Sequence, residues 1–557
     1  MLLNCAEGQH DDGVFGQRTR ELWCTQICKM PRGVHVSNLS EWKNGKVTRT
    51  VQTDFDAIVI GAGHNGLVTA AYLARQGLAT MLIEARDTVG GTASSEMFAG
   101  ARVNICNCDH LAFRTTPIAE ELNLAKYGLS YIDVEPPQVN MDWSSQKPWE
   151  IWQDVERTLD SLAQSHPDSV TGYKRYVKTM LPVARLITEA ASHRPTRASL
   201  IGSVLRRGGS GMATMLKMSR MSAADVMRQF FDNEAIIGPA MVEGPVVWGL
   251  SPETPGTGLG AISFALRHLE KVGRPVGGSG ALPDALLQSF LDAGGMLRTG
   301  TRVVGIVCEG QRVSAVQTQD GASMTARVVV SACDPRRTFV TWLKNPPSRA
   351  ASLINKWNQA VPGEGYESKI DAVTSAVPHL NNYAPVGSTI VISPSVAELH
   401  RGAQLLHEGK MMPRMALLAN APSVQDTTLA PPGQHVFSLE ALFTPYSFSE
   451  GWESREEPER WLRQWAQIAQ PGFMESIVEW RAVTPMHYEK DFHLPKGHAT
   501  SFAGGPLAAF LGSNPELTRY RTPIKGLYLT GAATFPGAGV WGSSGRNTAL
   551  TILDDVK

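Results

Sequence analysis

Apolar residues fall in short, dense runs at three widely separated places along this chain. Phe55-Asp56-Ala57-Ile58-Val59-Ile60 is nearly continuous in its apolar character and predicts a short buried strand. Glycines follow, then an apolar helical run from Leu67 to Arg75 that stops at Gly77. Thr80-Met81-Leu82-Ile83 is a second strand ending on Glu84, which completes a β-turn-α-β unit of the ~30-residue length such units need. From Trp149 to about Gly238 the pattern is helical, with few strand-like runs. A second βα-like stretch runs from Gly277 to Pro335. Between residues 350 and 500, strand-like runs (Ser388 to Ile392, Met415 to Leu418, His435 to Leu439) accompany one clear helix, Glu456 to Ala469. The closing segment, Gly526 to Val556, returns to strand, glycine loop and helix.

Composition narrows the field. A chain of 557 residues, 43% hydrophobic and 19% charged, can bury a large core and has the length of about three or four domains. Lys plus Arg (52) balances Asp plus Glu (52), so the chain has no net pull toward a phosphate polymer, and nucleic acid is excluded as the expected partner. No uninterrupted apolar run is long enough to span a bilayer; Ala57 to Ala74 is broken by Gly61, Gly63, His64, Asn65 and Gly66. The seven cysteines (Cys5, Cys24, Cys28, Cys106, Cys108, Cys308 and Cys333) are odd in number and sparse, with no C-x-x-C pair. They suggest a reducing, cytoplasmic setting and argue against dithiol chemistry. Cys106-Asn107-Cys108 has a spacing some metals use, but no second Cys/His cluster completes a site, so no metal is expected. The first 53 residues are polar, carry Glu7, Asp11, Asp12 and Glu21, and read as a flexible extension without a signal-peptide apolar region. Leu205-Arg206-Arg207 and Met212 to Met221 form a basic, methionine-rich stretch. Such a stretch can make peripheral contact with a membrane surface, but a methionine stripe is more often a core or partner face.

The first glycine turn carries the chemistry. Gly61-Ala62-Gly63-His64-Asn65-Gly66 is a G-x-G-x-x-G between a strand and a helix. Gly61 permits the tight turn, Gly63 lets the backbone approach a pyrophosphate, and Gly66 lets the helix pack on the strand. The helix N-terminus offers free N–H groups to phosphates, and Glu84 stands where a carboxylate accepts the ribose hydroxyls of an adenosine. Dinucleotide binding follows. Glu84-Ala85-Arg86-Asp87-Thr88-Val89-Gly90-Gly91 then resembles the E-x5-G-G pattern of a large class of flavoproteins, in which paired glycines let the chain pass close to the cofactor. That second contact selects FAD over NAD.

Two later segments continue the order. Pro275-Val276-Gly277-Gly278-Ser279-Gly280-Ala281-Leu282 opens a helix, and Thr301-Arg302-Val303-Val304-Gly305-Ile306 leads into a hairpin that ends at Ala332-Cys333-Asp334-Pro335. Near the C-terminus, Leu527-Tyr528-Leu529-Thr530-Gly531-Ala532 enters the loop Pro536-Gly537-Ala538-Gly539-Val540-Trp541-Gly542 and a closing helix. Such a loop lays backbone N–H groups against the flavin pyrimidine edge, and the helix N-terminus favours the negative charge that gathers there on reduction.

Taken together, these residues resemble the phytoene desaturase and carotenoid isomerase-type flavoproteins, and within them the branch labelled pyridine nucleotide-disulphide oxidoreductase domain-containing proteins. Gly61 to Leu67 matches its GAGHNGL, Pro536 to Ala549 its PG-x-G-V-x-G-x-x-G-R-N-x-A, and Ser251-Pro252, Pro255-Gly256, Pro422-Ser423 and Asp426 match further positions. The likeness runs from about Asp54 to the C-terminus. It implies an α/β protein with a discontinuous Rossmann-type FAD-binding domain (54–148, 270–345 and 505–557) and an inserted α+β substrate domain (149–269 and 346–504). It further implies cofactor contacts from Gly61, Gly63, His64, Asn65 and Gly66; from Glu84, Ala85 and Arg86; and from Gly90, Gly91, Thr92 and Ala93. Val303, Ala332, Gly531, Ala532, Gly539 and Val540 complete that set, Val303 holding the adenine through its backbone. Two positions depart from the pattern: Thr92 stands where many relatives carry arginine, and Ala532 where an acid is frequent.

The expected activity is hydride removal from a small apolar substrate to flavin N5, as in a desaturase, isomerase or oxidase, with an electron acceptor whose nature no residue identifies. An amine or amino-acid oxidase and a non-catalytic flavin-holding protein are the competing readings. The cofactor carries the hard step, so no catalytic residue is named. His110 and Trp541 are the candidates for substrate lining, while His487 and His493, beside Glu489 and Asp491, read as a solvated stretch.

Overall fold

The computed structural model describes residues 53–557, apart from 107–108, 207–210, 366, 384–386 and 503–504. The extension read over residues 1–53 therefore lies outside the described residues save for Thr53, as do Cys5, Cys24, Cys28, Cys108 and Arg207.

Two sheets organise the rest. The first has eight strands, in the order Leu343–Lys344, Val303–Glu309, Arg312–Thr318, Ser323–Ser331, Phe55–Ile60, Thr80–Ile83, Met296–Arg298, with Leu527–Leu529 also pairing to Ser323–Ser331. Phe55–Ile60 runs parallel to both of its neighbours, and Leu527–Leu529 is parallel to Ser323–Ser331. The three separated apolar runs of the sequence thus become adjacent strands. Both faces are covered, which is why the runs are continuous rather than alternating. Ala57, Val59 and Leu82 turn into a core with the helices His64–Arg75, Ala281–Asp292 and Ser543–Val556. Ile58, Ile60 and Ile83 turn the other way, onto Phe339, Trp342 and Trp357. Ile58 and Val59 are fully buried, and each such side chain stabilises the fold by about 1.5–3 kcal/mol.

Close backbone approach fixes the helices on this sheet. A Cβ on Gly66 would lie 2.0 Å from the Gly61 carbonyl oxygen, and one on Gly545 would lie 2.3 Å from that of Asn65. Only glycine allows the first helix to sit on its own turn and the last helix to cross the first.

The second sheet has seven strands, in the order Ile477–Val483, Glu367–Thr374, His435–Leu442, Leu417–Asn420, Thr389–Ser393, Gln138–Asp142, Trp149–Ile151. One face is apolar: Ile370, Leu439, Leu417, Ile392 and Val139 pack on Val170–Ala191, Glu234–Val242 and other helices. The register sets Lys369 opposite Glu440, Glu440 opposite Leu418, Asn420 opposite Ser438 and Thr389 opposite Gln138. Directly opposed residues share a face. The second face is therefore largely polar, and Gln138, Lys369, Thr389, Asn420 and Ser438 on it are buried.

Several expectations change here. Gln138–Asp142 pairs in parallel with Thr389–Ser393, so this sheet begins inside the segment 54–148 that the sequence reading gave to cofactor binding. Trp149–Ile151 is a strand where the pattern read as the start of a helical region. Leu417–Asn420 falls further along than the Met415 to Leu418 run suggested, because Met415 and Ala416 lead into the strand. Met215 and Met218 are buried in the core and Met212 and Met221 pack against it, so these methionines form a core face. Among the described residues no helix is long and apolar enough to cross a membrane, and no group of three His, Cys, Asp or Glu side chains is placed to hold a metal.

Candidate flavin site and adjoining cavity

At the end of Phe55–Ile60 the chain turns through Gly61 at φ +97°, a conformation that favours glycine, and a Cβ there would press on Cys333 Sγ at 2.9 Å. Gly63 lies beside Gly90 in an isolated bridge, and Gly91, at φ +57°, would bring a Cβ within 3.3 Å of the Gly63 Cα. A Cβ on Gly63 itself would meet nothing within 4 Å. The first turn and the later glycine pair therefore form the two sides of an open groove at the N-terminus of the helix His64–Arg75, the end that attracts phosphate.

Glu84 closes one end of this groove. Its Oε2 accepts the Ala62 N–H at 2.7 Å and its Oε1 accepts the Arg86 N–H at 2.9 Å, so the carboxylate holds the glycine turn while lining the cavity beside Thr301 and Val303. Arg86 lies over the Phe492 ring at 4.1 Å and pairs with Glu96 at 3.0 Å, but its Nη1 is buried without a hydrogen-bond partner. An orphaned buried donor costs about 1–3 kcal/mol and is explained by an acceptor that completes it. A dinucleotide's phosphate or sugar oxygens supply such acceptors, so the residues present fit FAD.

The other end is built by the C-terminal loop. Ser544 Oγ accepts the Gly531 N–H at 2.9 Å and sits 2.9 Å from Thr530 Oγ1, while Asn65 Oδ1 accepts the Gly545 N–H at 3.3 Å. The first two bonds close the C-terminal loop on its helix, and the last ties the third segment to the first. The N-terminus of the 14-residue helix Ser543–Val556 begins there, and Ser543 Oγ is buried without a partner. His64 lies between the two segments, partly buried. Burial lowers its pKa to about 4, against an opposing hydrogen bond to the Gly539 backbone, so the ring is uncharged at neutral pH.

One cavity of about 540 Å³ joins these parts. Every residue named from the sequence for the cofactor lines it, including Thr92 and Ala532 at the two departures from the family pattern, and so does Trp541. His110 does not. It is fully buried, with Nε2 2.8 Å from Ser279 Oγ, Nδ1 3.2 Å from Tyr131 OH and its ring edge-on to Tyr131. The expectation that it touches substrate is therefore corrected: it braces the Pro275–Leu282 segment. That segment is itself off the cavity, with Pro283 lying where a Cβ on Gly90 would meet it at 2.9 Å.

The solvated reading describes His487, which pairs with Asp491 at 2.9 Å with both side chains about 40% exposed. It fails for His493, which lines the cavity and lies 3.1 Å from Arg302 Nη2. Phe492, Leu494, Pro495 and His498 line the same wall. No motif marked this stretch; its signal is a chain reversal, with His493 at φ 58°, Lys496 at φ 52° and Gly497 beyond. Sequence reasoning also missed the wall beyond the flavin loops. There Leu111, Ala112, Val247, Trp248, Leu266 and Leu269 are apolar, and Asp109, Glu243, Arg267, Glu367, Asn420 and Glu440 are polar. Arg267 pairs with Glu243 at 2.8 Å, and Arg274 pairs with Asp109 at 2.7 Å.

A nucleotide groove closed by Glu84, a C-terminal loop at its far end and a cavity beside it define an FAD-dependent oxidoreductase. The chain belongs to the flavin containing amine oxidoreductase family, whose model matches residues 66–363, more than half its length. It is 28% identical to the pyridine nucleotide-disulfide oxidoreductase domain-containing protein 2 of Mus musculus, over 94% of this chain and 98% of the mouse protein. It is 26% identical to a lycopene-forming phytoene desaturase of Pseudescherichia vulneris, over 90% and 99% of the two chains. Among solved structures, putrescine oxidase shares the fold at a TM-score of 0.60 and 15% identity, covering 90% of this chain and 99% of the oxidase.

Two outcomes follow from this geometry. Glu84→Ala removes both the ribose acceptor and the anchor of the glycine turn. Since hydrogen bonds to a charged group contribute about 1.5–3 kcal/mol each, the FAD Kd rises by roughly tenfold or more. Titration of the apoprotein with FAD, followed by flavin fluorescence, reads this directly, and an unchanged Kd contradicts it. The second outcome concerns acid. Burial holds His110 neutral with a pKa of about 3, against 6.5 for the free side chain. The unfolded chain therefore binds the extra proton, so this contribution to stability is complete above pH 6.5 and is lost progressively as pH falls toward 3. Urea unfolding of His110→Gln falls less steeply than that of the parent between pH 6.5 and 4, and parallel profiles contradict the assignment.

Proposed function

We propose that this flavoprotein is a dehydrogenase of the desaturase, isomerase or oxidase type that takes hydride from an apolar, lipid-like or polyene substrate. The observation that carries this reading is the wall of Leu111, Ala112, Val247, Trp248, Leu266 and Leu269, continuous with the C-terminal flavin loop and Trp541. FAD supplies the hydride acceptor at N5 when bound. The chain supplies binding, orientation and a dry site. Apolar side chains gain about 25 cal/mol for each Å² of substrate surface they cover, and this energy fixes the substrate against the flavin loop without a charged anchor. Burial keeps the His64 ring uncharged, so it adds no positive charge beside the cofactor. The helix Ser543–Val556 directs its positive end toward the C-terminal loop, where it would favour negative charge on a bound flavin.

Relatives support the chemistry by their names: the phytoene desaturases and a component of limonene dehydrogenase are named for hydrocarbons, and a prolycopene isomerase extends the class. The test is anaerobic mixing of the FAD-loaded protein with terpene and polyene hydrocarbons, their oxygenated derivatives and primary amines. Bleaching of the flavin band by members of the first two groups and not by amines is the expected result. Bleaching by amines alone overturns the reading.

A further inference from the structure

On its polar face the seven-stranded sheet presents a carboxyl that pairs with none of the described residues. Glu440 stands on His435–Leu442, directly opposite Lys369 on one side and Leu418 on the other. The same register places Glu367 and Asn420 diagonally beside it, on the two flanking strands. Glu367, Asn420 and Glu440 all line the flavin cavity.

The cations nearby are already matched. Lys369 is committed to Asp371 and the Asn104 carbonyl, Arg481 to Asp371 and Glu96, Arg267 to Glu243, and Arg274 to Asp109. Among the described residues Glu367 accepts hydrogen bonds only from neutral groups, Cys106 Sγ at 3.4 Å and Tyr488 OH at 3.5 Å. Glu440 makes no hydrogen bond or ion pair among the described residues. Burial raises both carboxyls, and for Glu440 the charges of Glu367, Glu243 and Asp109 add to the rise against the opposing Lys369. Two carboxyls whose pKa values burial pushes up thus stand side by side on the cavity wall. Independently, Asn420 is more than nine-tenths buried, and its Oδ1 has no partner. Its amide makes no hydrogen bond among the described residues, and its oxygen is buried with nothing to donate to it. A protein core does not leave such an oxygen unpaired beside an unpaired carboxyl at no cost.

We infer that Glu440, Asn420 and Glu367 form a subsite for an uncharged oxygen function, a hydroxyl or carbonyl, carried by an otherwise apolar substrate. This rests on the apolar-substrate reading above and refines it: the substrate is a terpenoid or lipid-like molecule with an alcohol or carbonyl group, its hydrocarbon body held by the Val247, Trp248 and Leu266 wall. A carboxyl and an amide side by side offer the donor and acceptors that complement an alcohol or carbonyl oxygen. A substrate carboxylate would instead bring a further negative charge to a wall whose cations are already spent.

The test uses the FAD-loaded full chain and three probes of matched skeleton, farnesene, farnesol and farnesylamine, with binding read from perturbation of the flavin absorption spectrum. Farnesol binds about tenfold or more tightly than farnesene to the parent protein. That preference disappears in Glu440→Leu and in Asn420→Leu, while Glu440→Gln, which keeps a neutral donor and acceptor, retains most of it. Retention of farnesene binding and of the flavin in both leucine variants shows that they remain folded. If farnesylamine binds tightest and Glu440→Gln abolishes that affinity, the pair is a cation site and the inference is overturned. If farnesol and farnesene bind equally, the subsite is overturned and the apolar cavity stands. If neither binds while the flavin is present, the apolar-substrate reading falls and the inference falls with it.

Discussion

The Glu84 carboxylate grips the backbone of the first glycine turn through the Ala62 N–H, and that turn is pressed so tightly against its surroundings that side chains are excluded from it. Gly66 lets the helix His64–Arg75 sit on the turn, and Gly61 lets the turn pass under Cys333. Asn65, two residues after Gly63, reaches the first turn of the C-terminal helix. A short piece of backbone therefore fixes, at once, the direction of a helix N-terminus and the meeting of chain segments that are hundreds of residues apart. Everything the cavity does depends on that meeting, because the flavin groove has no wall on one side until the last helix is in place.

The two sheets divide the labour. The eight-stranded sheet is covered on both faces and makes a rigid frame for the nucleotide. The seven-stranded sheet is apolar toward its helices and polar toward the cavity, an inversion of the usual arrangement in which the polar face meets water. Holding Gln138, Lys369, Asp371 and Asn420 out of bulk water is costly, and most of that cost is offset by pairing within the face. The groups left unpaired mark the place where a ligand completes the set.

Legibility followed locality. The glycine turn, Glu84, the glycine pair and the C-terminal loop are each made by consecutive residues whose spacing encodes their geometry, and for that reason they stood out in the sequence. The strands Phe55–Ile60 and Thr80–Ile83 were legible for a related reason, since burial on both faces leaves an unbroken apolar run. The distal wall was not legible. Glu367, Asn420 and Glu440 belong to three different strands, and only cross-strand register brings them together. His493 looked solvated because charged residues surround it in the chain; a left-handed turn then swings it inward beside Arg302. His110 erred the other way. It follows the first cofactor segment in sequence, yet Ser279 and Tyr131 satisfy both ring nitrogens and hold it in the core.

All of this depends on a single path for the cofactor, from Glu84 along the two glycine elements to the loop at Gly539. A crystal structure of the FAD-loaded protein measures that path directly. The adenosine ribose hydroxyls should lie within hydrogen-bonding distance of the Glu84 carboxylate, with the pyrophosphate at the N-terminus of His64–Arg75 and the isoalloxazine ring between Ala532 and Trp541. An FAD bound with its adenosine away from Glu84, or lying elsewhere while side chains fill the groove, contradicts the account.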